Sequence, residues 1–160
     1  MTEKRRIVFL CTGNCCRSQM AEAILRHLDP VRFEALSAGS HPAGFVHPLV
    51  TAALEPMQIP VIDQHSKSWD EFLDQPLDLL ITVCDAAAAE VCPIWPQRPP
   101  TVHWPLPDPV AQFGSAAGQH DFARRVAERL LLKLQRLVAL DWEQGDADDL
   151  RDELEQIGQL

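Results

Sequence analysis

Five residues, Arg6 to Leu10 (RIVFL), form a mostly apolar run that stops at Cys11, and a helical pattern begins six positions later at Arg17. A buried strand that must enter a helix through so short a turn leaves few folds open. It reads as the first half of a strand–turn–helix unit, with Gly13 in the turn and Met20, Ile24, Leu25 and Leu28 on one face of the helix Arg17 to Leu28.

The alternation repeats. Phe33 to Ser37 reads as a second strand ending at Gly39, and the His-Pro, Ala-Gly and His-Pro pairs from His41 to Pro48 mark a loop before a helix over Pro48 to Met57. A third strand, Leu77 to Val83, precedes the Ala-rich segment Asp85 to Val91. Four prolines from Pro93 to Pro100 then break regular structure, and a short fourth strand is expected over Thr101 to Trp104. The longest helix is expected over Asp121 to Leu140, where Phe122, Val126, Leu130, Leu134, Leu137 and Val138 recur at helical spacing. This pattern predicts a single-domain α/β fold, an open parallel four-stranded sheet with helices on both faces, and ligands at the carboxyl ends of the strands. Residues 1–140 would form the catalytic domain. The acidic tail 141–160 would add a short helix carrying Leu150, Leu154 and Ile157.

Charge narrows the function classes. A net charge of −9 argues against nucleic-acid binding, because phosphate backbones are held by many Lys and Arg side chains. No apolar run approaches the ~18 residues of a membrane span, and the short run after the basic start does not read as a secretory signal. The expectation is a cytoplasmic enzyme that captures its anion locally. Five cysteines, an odd number, point to reactive thiols rather than a disulfide framework: Cys11, Cys15 and Cys16, then Cys84 and Cys92. Neither group has a CxxC pair, so the spacing does not fit a zinc site.

The chemistry is expected in the loop Cys11-Thr12-Gly13-Asn14-Cys15-Cys16-Arg17-Ser18. Backbone N–H groups of a loop that opens a helix can converge on an oxyanion, and Arg17 would close the cradle with a two-pronged fork. The same field would lower a cysteine pKa into the range of roughly 3.5 to 7.5, making Cys11 a nucleophile. Ser18 can donate to that sulfur, and Asn14 can brace a loop residue in an unusual backbone conformation.

With CTGNCCRS followed by QMAEA, and with Leu36 to Gly39, Asp63, Thr82 to Cys84 and the stretch His103 to Pro109, the chain resembles the low-molecular-weight protein tyrosine phosphatase family and the arsenate reductases that share its fold. The resemblance spans about residues 5 to 140. It implies that Cys11 attacks phosphorus or arsenic, that Arg17 binds the equatorial oxygens, and that Asp108 protonates the leaving oxygen. Some reductases of the family bind potassium beside the loop, and Asn14, Glu22, Ser37 and Asp63 match those positions; no tightly bound cofactor is otherwise expected.

Phosphate and arsenate have nearly the same shape, so the first loop does not separate hydrolysis from reduction. Turning arsenate into arsenite takes two electrons, which a thiol pair supplies on becoming a disulfide. The expected route is attack by Cys11, attack of Cys84 on the Cys11 sulfur, and transfer of the disulfide to Cys84 and Cys92, with thioredoxin or glutaredoxin and glutathione as reductant. On an intact helix Cys84 and Cys92 would lie about 12 Å apart, beyond the roughly 7 Å that a disulfide spans, so Asp85 to Val91 would have to unwind. Two departures stand out: Cys15 replaces a serine common in thioredoxin-linked members, and seven rather than six residues separate Cys84 from Cys92. The chain has no tyrosine, whereas eukaryotic phosphatases of the family carry tyrosines near the catalytic aspartate. The alternatives are a phosphomonoester phosphatase, or a module that binds oxyanions without turnover.

Overall fold

The computed structural model describes residues 3–84, 95, 98–111 and 114–160. Four strands form one parallel sheet: β1 (Arg5–Leu10), β2 (Phe33–Ala38), β3 (Leu79–Thr82) and β4 (Thr101–His103), in the order β2-β1-β3-β4. The chain leaves β1 for β2 on one side and later returns to lay β3 on the other. The order therefore reverses between β1 and β3, and a crevice opens beyond their carboxyl ends. Leu10 pairs with Thr82, so Cys11 and Cys84 emerge side by side at that point.

Alternation along β1 builds two cores. Ile7 and Phe9 face the larger one, where they meet α1 (Arg17–Leu28), α2 (Pro48–Leu54), α3 (Ala116–Val138) and α4 (Arg151–Ile157). Val8 and Leu10 face the smaller one, formed with Leu80, Phe72, Leu77 and Trp95. Among the described residues that second face is covered by a 3₁₀ turn at Trp69–Phe72, started by Ser68, whose Oγ accepts from the Asp70 N–H at 3.1 Å. The segment Asp85 to Val91 and Cys92 lie outside the described residues.

Differences from the expected boundaries have local causes. Pro56 has no N–H to continue the helix begun at Pro48, so α2 stops at Leu54 and a 3₁₀ turn spans Glu55–Met57 before Gln58 turns left-handed at φ 59°. Helix α3 starts five residues before Asp121, because Ser115 caps it by accepting from the Gly118 N–H at 3.0 Å. Its first turn carries no core residue, which is why the apolar stripe begins only at Phe122.

The acidic tail contributes to the main core. Trp142, Ala147, Leu150, Leu154 and Ile157 are all buried there. Trp142 meets Phe33 edge-on at 5.3 Å between ring centroids, beneath the guanidinium of Arg5.

Candidate active site

The loop after β1 is turned so that its carbonyls point away from its centre. Thr12 O accepts from His41 N at 2.9 Å, Gly13 O from Ala43 N at 2.9 Å, Cys15 O from His47 N at 2.8 Å, and Cys16 O from Met20 N at 2.9 Å. Cys11 O accepts from Asn14 N at 3.3 Å, and Asn14 O from Gln19 Nε2 at 3.1 Å. With most of its acceptors engaged by neighbouring segments, the loop leaves its later donors free to point inward. Among the described residues the N–H groups of Cys15, Cys16, Arg17 and Ser18 meet no protein acceptor. Helix α1 accordingly starts without a side-chain cap at Cys16. Such a ring of main-chain donors at a helix N-terminus is suited to a tetrahedral oxyanion.

Asn14 fixes this shape. It is fully buried at φ 44°, a left-handed conformation that asparagine tolerates better than most residues. Its Nδ2 donates to Ser18 Oγ at 2.9 Å, and its Oδ1 accepts from Gln19 Nε2 at 3.1 Å and from Lys67 N at 2.9 Å. Gly39, at the end of β2, lets the loop lie against the sheet: a Cβ there would sit 2.4 Å from both Cys11 O and Thr12 O.

Arg17 reaches across the cradle. Its Nη1 donates to Leu106 O at 2.9 Å, its Nη2 lies 3.6 Å from Asp108 Oδ2, and its buried Nε has no hydrogen-bond partner among the described residues. A buried N–H without an acceptor is costly, and an oxyanion in the cradle would satisfy it. Asp108 is partly exposed, and its Oδ1 accepts from Val110 N at 3.0 Å, leaving the carboxyl at the mouth of the site.

The thiols differ from the expectation of a simple low-pKa cysteine. Cys11 is buried beside Cys84, whose sulfur lies 3.7 Å from Thr12 Oγ1. The neighbouring Cys84 thiol and burial push the Cys11 thiol up, while the Arg17 guanidinium and the Gly13 N–H pull it down. Two neighbouring thiols cannot both ionise cheaply, so at most one of the pair carries charge at a time. Burial also raises Cys15, and it pushes Cys16 up to about 12. Cys16 is therefore a neutral thiol near pH 7, and Cys15, half-buried near Asp108, gains no thiolate character.

The positions expected to hold potassium do not fit a resident ion. The buried carboxylate of Glu22 accepts from Ser37 Oγ at 2.8 Å and from Arg26 Nη2 at 3.0 Å, and the Lys67 ammonium lies 3.7 Å from it. Asn14 Oδ1 is already engaged, and Asp63 is exposed at φ 55°. A built-in cation thus stands beside the carboxylate. Lys67 and Gln19 carry no sequence signal of their own, being polar residues that become interior only once the loop has closed. His103 and Trp104 are structural: His103 Nδ1 lies 2.8 Å from Thr82 Oγ1, and Trp104 Nε1 donates to Leu154 O at 2.9 Å.

The sequence model of the low molecular weight phosphotyrosine protein phosphatase family matches residues 6–141. The chain belongs to this family. Within it, the chain is 37% identical over 127 residues to an arsenate reductase of Halalkalibacterium halodurans, covering 79% of this chain and 90% of that protein. A solved arsenate reductase in its phosphate-binding state superposes with a TM-score of 0.67 at 27% identity, over 84% of this chain and 97% of the other. The thioredoxin-dependent arsenate reductase of Corynebacterium glutamicum is similar at 26% identity and a TM-score of 0.59, over 84% of this chain and 63% of that one.

Proposed function

We propose that the chain reduces arsenate to arsenite. The observation that carries this reading is the second thiol: Cys84 stands beside Cys11 at the mouth of the oxyanion cradle, with its sulfur 3.7 Å from Thr12 Oγ1. Hydrolysis of a phosphomonoester needs one thiol and a water. A second thiol beside the nucleophile is what reduction of a pentavalent centre requires. The family membership and the arsenate reductases among its similar proteins support the same reading.

In the proposed reaction the Cys11 sulfur attacks arsenic while the loop N–H groups and Arg17 hold the remaining oxygens. Asp108 gives its proton to the departing oxygen, which leaves as water, and a Cys11–arsenic bond forms. Acid assistance of this kind is typically worth 10² to 10⁴-fold. Cys84 then passes its proton to an arsenic-bound oxygen and attacks the Cys11 sulfur. The sulfur–sulfur bond forms, the sulfur–arsenic bond breaks with its electron pair remaining on arsenic, and arsenite departs. Cys92 would next attack Cys84 and release Cys11 as thiolate, and an external dithiol would reduce the Cys84–Cys92 disulfide. Thioredoxin, or glutaredoxin with glutathione, has the required chemistry.

Arsenite formation in the presence of reductant tests this. Wild-type protein should turn over, whereas Cys11→Ser and Cys84→Ser should each fall to background. The competing phosphatase reading predicts that release of phosphate from an aryl phosphate survives Cys84→Ser and exceeds arsenate reduction in wild type.

A further inference from the structure

Residues 142–160 lie beyond the part matched by the family, yet they close over the strand that leads to Asp108. We propose that this tail is a positioning element for Asp108, acting through the Trp104 indole that its helix grips. The inference rests on the reading of Asp108 as the general acid.

Three contacts define the grip. Trp104, fully buried just after β4, donates from Nε1 to Leu154 O on α4 at 2.9 Å. Gly158, at the end of α4, lies so close that a Cβ there would come within 2.7 Å of Trp104 Cδ1 and 3.0 Å of His103 O. On the far side Lys133 of α3, itself 1% exposed, donates from Nζ to Gly158 O at 2.7 Å and to Leu160 O at 3.1 Å. The ammonium thereby fastens the carboxyl end of α4, where helix carbonyls lack partners, to the body of the protein.

The connection from Trp104 to Asp108 is stiff. Residues 104–109 read Trp-Pro-Leu-Pro-Asp-Pro, so every second residue has its φ fixed by a ring and each of the others precedes a proline and is held extended. Burial follows the same two-residue period: Trp104 and Leu106 point inward, while Pro105 and Pro107 point out. Such a rod spans about 12 Å from Trp104 to Asp108 at the ~3.1 Å rise of an extended proline-rich chain. Its middle is tied to the cradle by the bond from Arg17 to Leu106 O. A displacement of the indole by α4 is therefore carried along the rod to the carboxyl.

Two opposite perturbations test this in the full-length protein. Lys133→Met removes the clasp, and Gly158→Ala drives a methyl group against the indole. The readout is the rate of arsenite formation in a single turnover, alone and on the Asp108→Asn background, with inorganic phosphate affinity measured alongside. Each single variant is expected to slow the step by about tenfold, to leave phosphate affinity within about twofold, and to cause no further loss once Asp108 is Asn. An equal loss on both backgrounds, or no loss in either variant, overturns the inference while leaving the acid role intact. An Asp108→Asn protein that reacts at the wild-type rate overturns the acid role itself, and the inference with it.

Discussion

Gly39→Ala puts the loop's packing to a direct test. The added Cβ would meet Cys11 O and Thr12 O at 2.4 Å and Asn14 N at 3.0 Å. All three atoms are backbone, so no side chain can rotate away. Reaching even a tight 3.0 Å contact requires about 0.6 Å of movement against each oxygen, the difference between 3.0 and 2.4 Å. Gly39 cannot supply it easily, since its N–H donates to Lys67 O and its carbonyl accepts from Trp69 N, both at 3.0 Å. The loop must retreat as a unit. Overpacking of this kind costs about 1–3 kcal/mol, which in a domain of this size lowers Tm by several degrees, about 2–4 °C per kcal/mol. Because displacing catalytic groups by about 1 Å can cost 10²-fold, arsenite formation should slow by at least about tenfold. Inorganic phosphate affinity, read by calorimetry, should weaken in parallel. A variant that binds phosphate within about twofold of wild type and melts within about 1 °C of it would refute the packing argument.

Other substitutions probe separate parts of the site. Arg17→Lys keeps the charge but loses the fork and the bond to Leu106 O, so phosphate affinity should fall by about 10- to 100-fold in the same calorimetric assay. Lys67→Met removes a buried cation beside Glu22 and should cost about 3 kcal/mol in urea unfolding. Exchanging sodium for potassium should leave wild type unchanged and partly restore this variant. Burial, with Arg129 adding to it, pulls Lys133 from an ordinary 10.5 down to about 8. Between those pH values the unfolded chain holds a proton that the folded chain has released, so stability should rise with pH across the window relative to Lys133→Met. Paired urea melts at both ends of the window check the sign, and a difference that falls with pH would contradict it.

The sheet and the cradle were largely readable from the sequence because both depend on local patterns. A strand ending at Cys11, Arg17 six positions on, and a helix with apolar spacing leave one geometry for the loop, and the structure has it. What escaped the reading depends on contacts distant in sequence. The pairing of Cys84 with Cys11 could be anticipated from strand ends, but its effect could not: the Cys84 thiol and burial push Cys11 up, against the lowering expected from the loop. Lys67 reads as one polar residue in a polar stretch, and only the folded loop brings it to Asn14 and Glu22. The tail was legible as a short amphipathic helix. Its hold on Trp104 was not, since a glycine near a chain end carries no pattern that names its neighbour.

The central claim is that Cys11 and Cys84 together deliver the two electrons. The most direct measurement mixes reduced protein with excess arsenate and no external thiol, then counts arsenite and remaining thiols and maps the disulfide by mass spectrometry. One arsenite per chain, two thiols lost, and Cys84 within the new disulfide is the predicted outcome. Arsenite formed with every thiol retained, or a disulfide that omits Cys84, would contradict it.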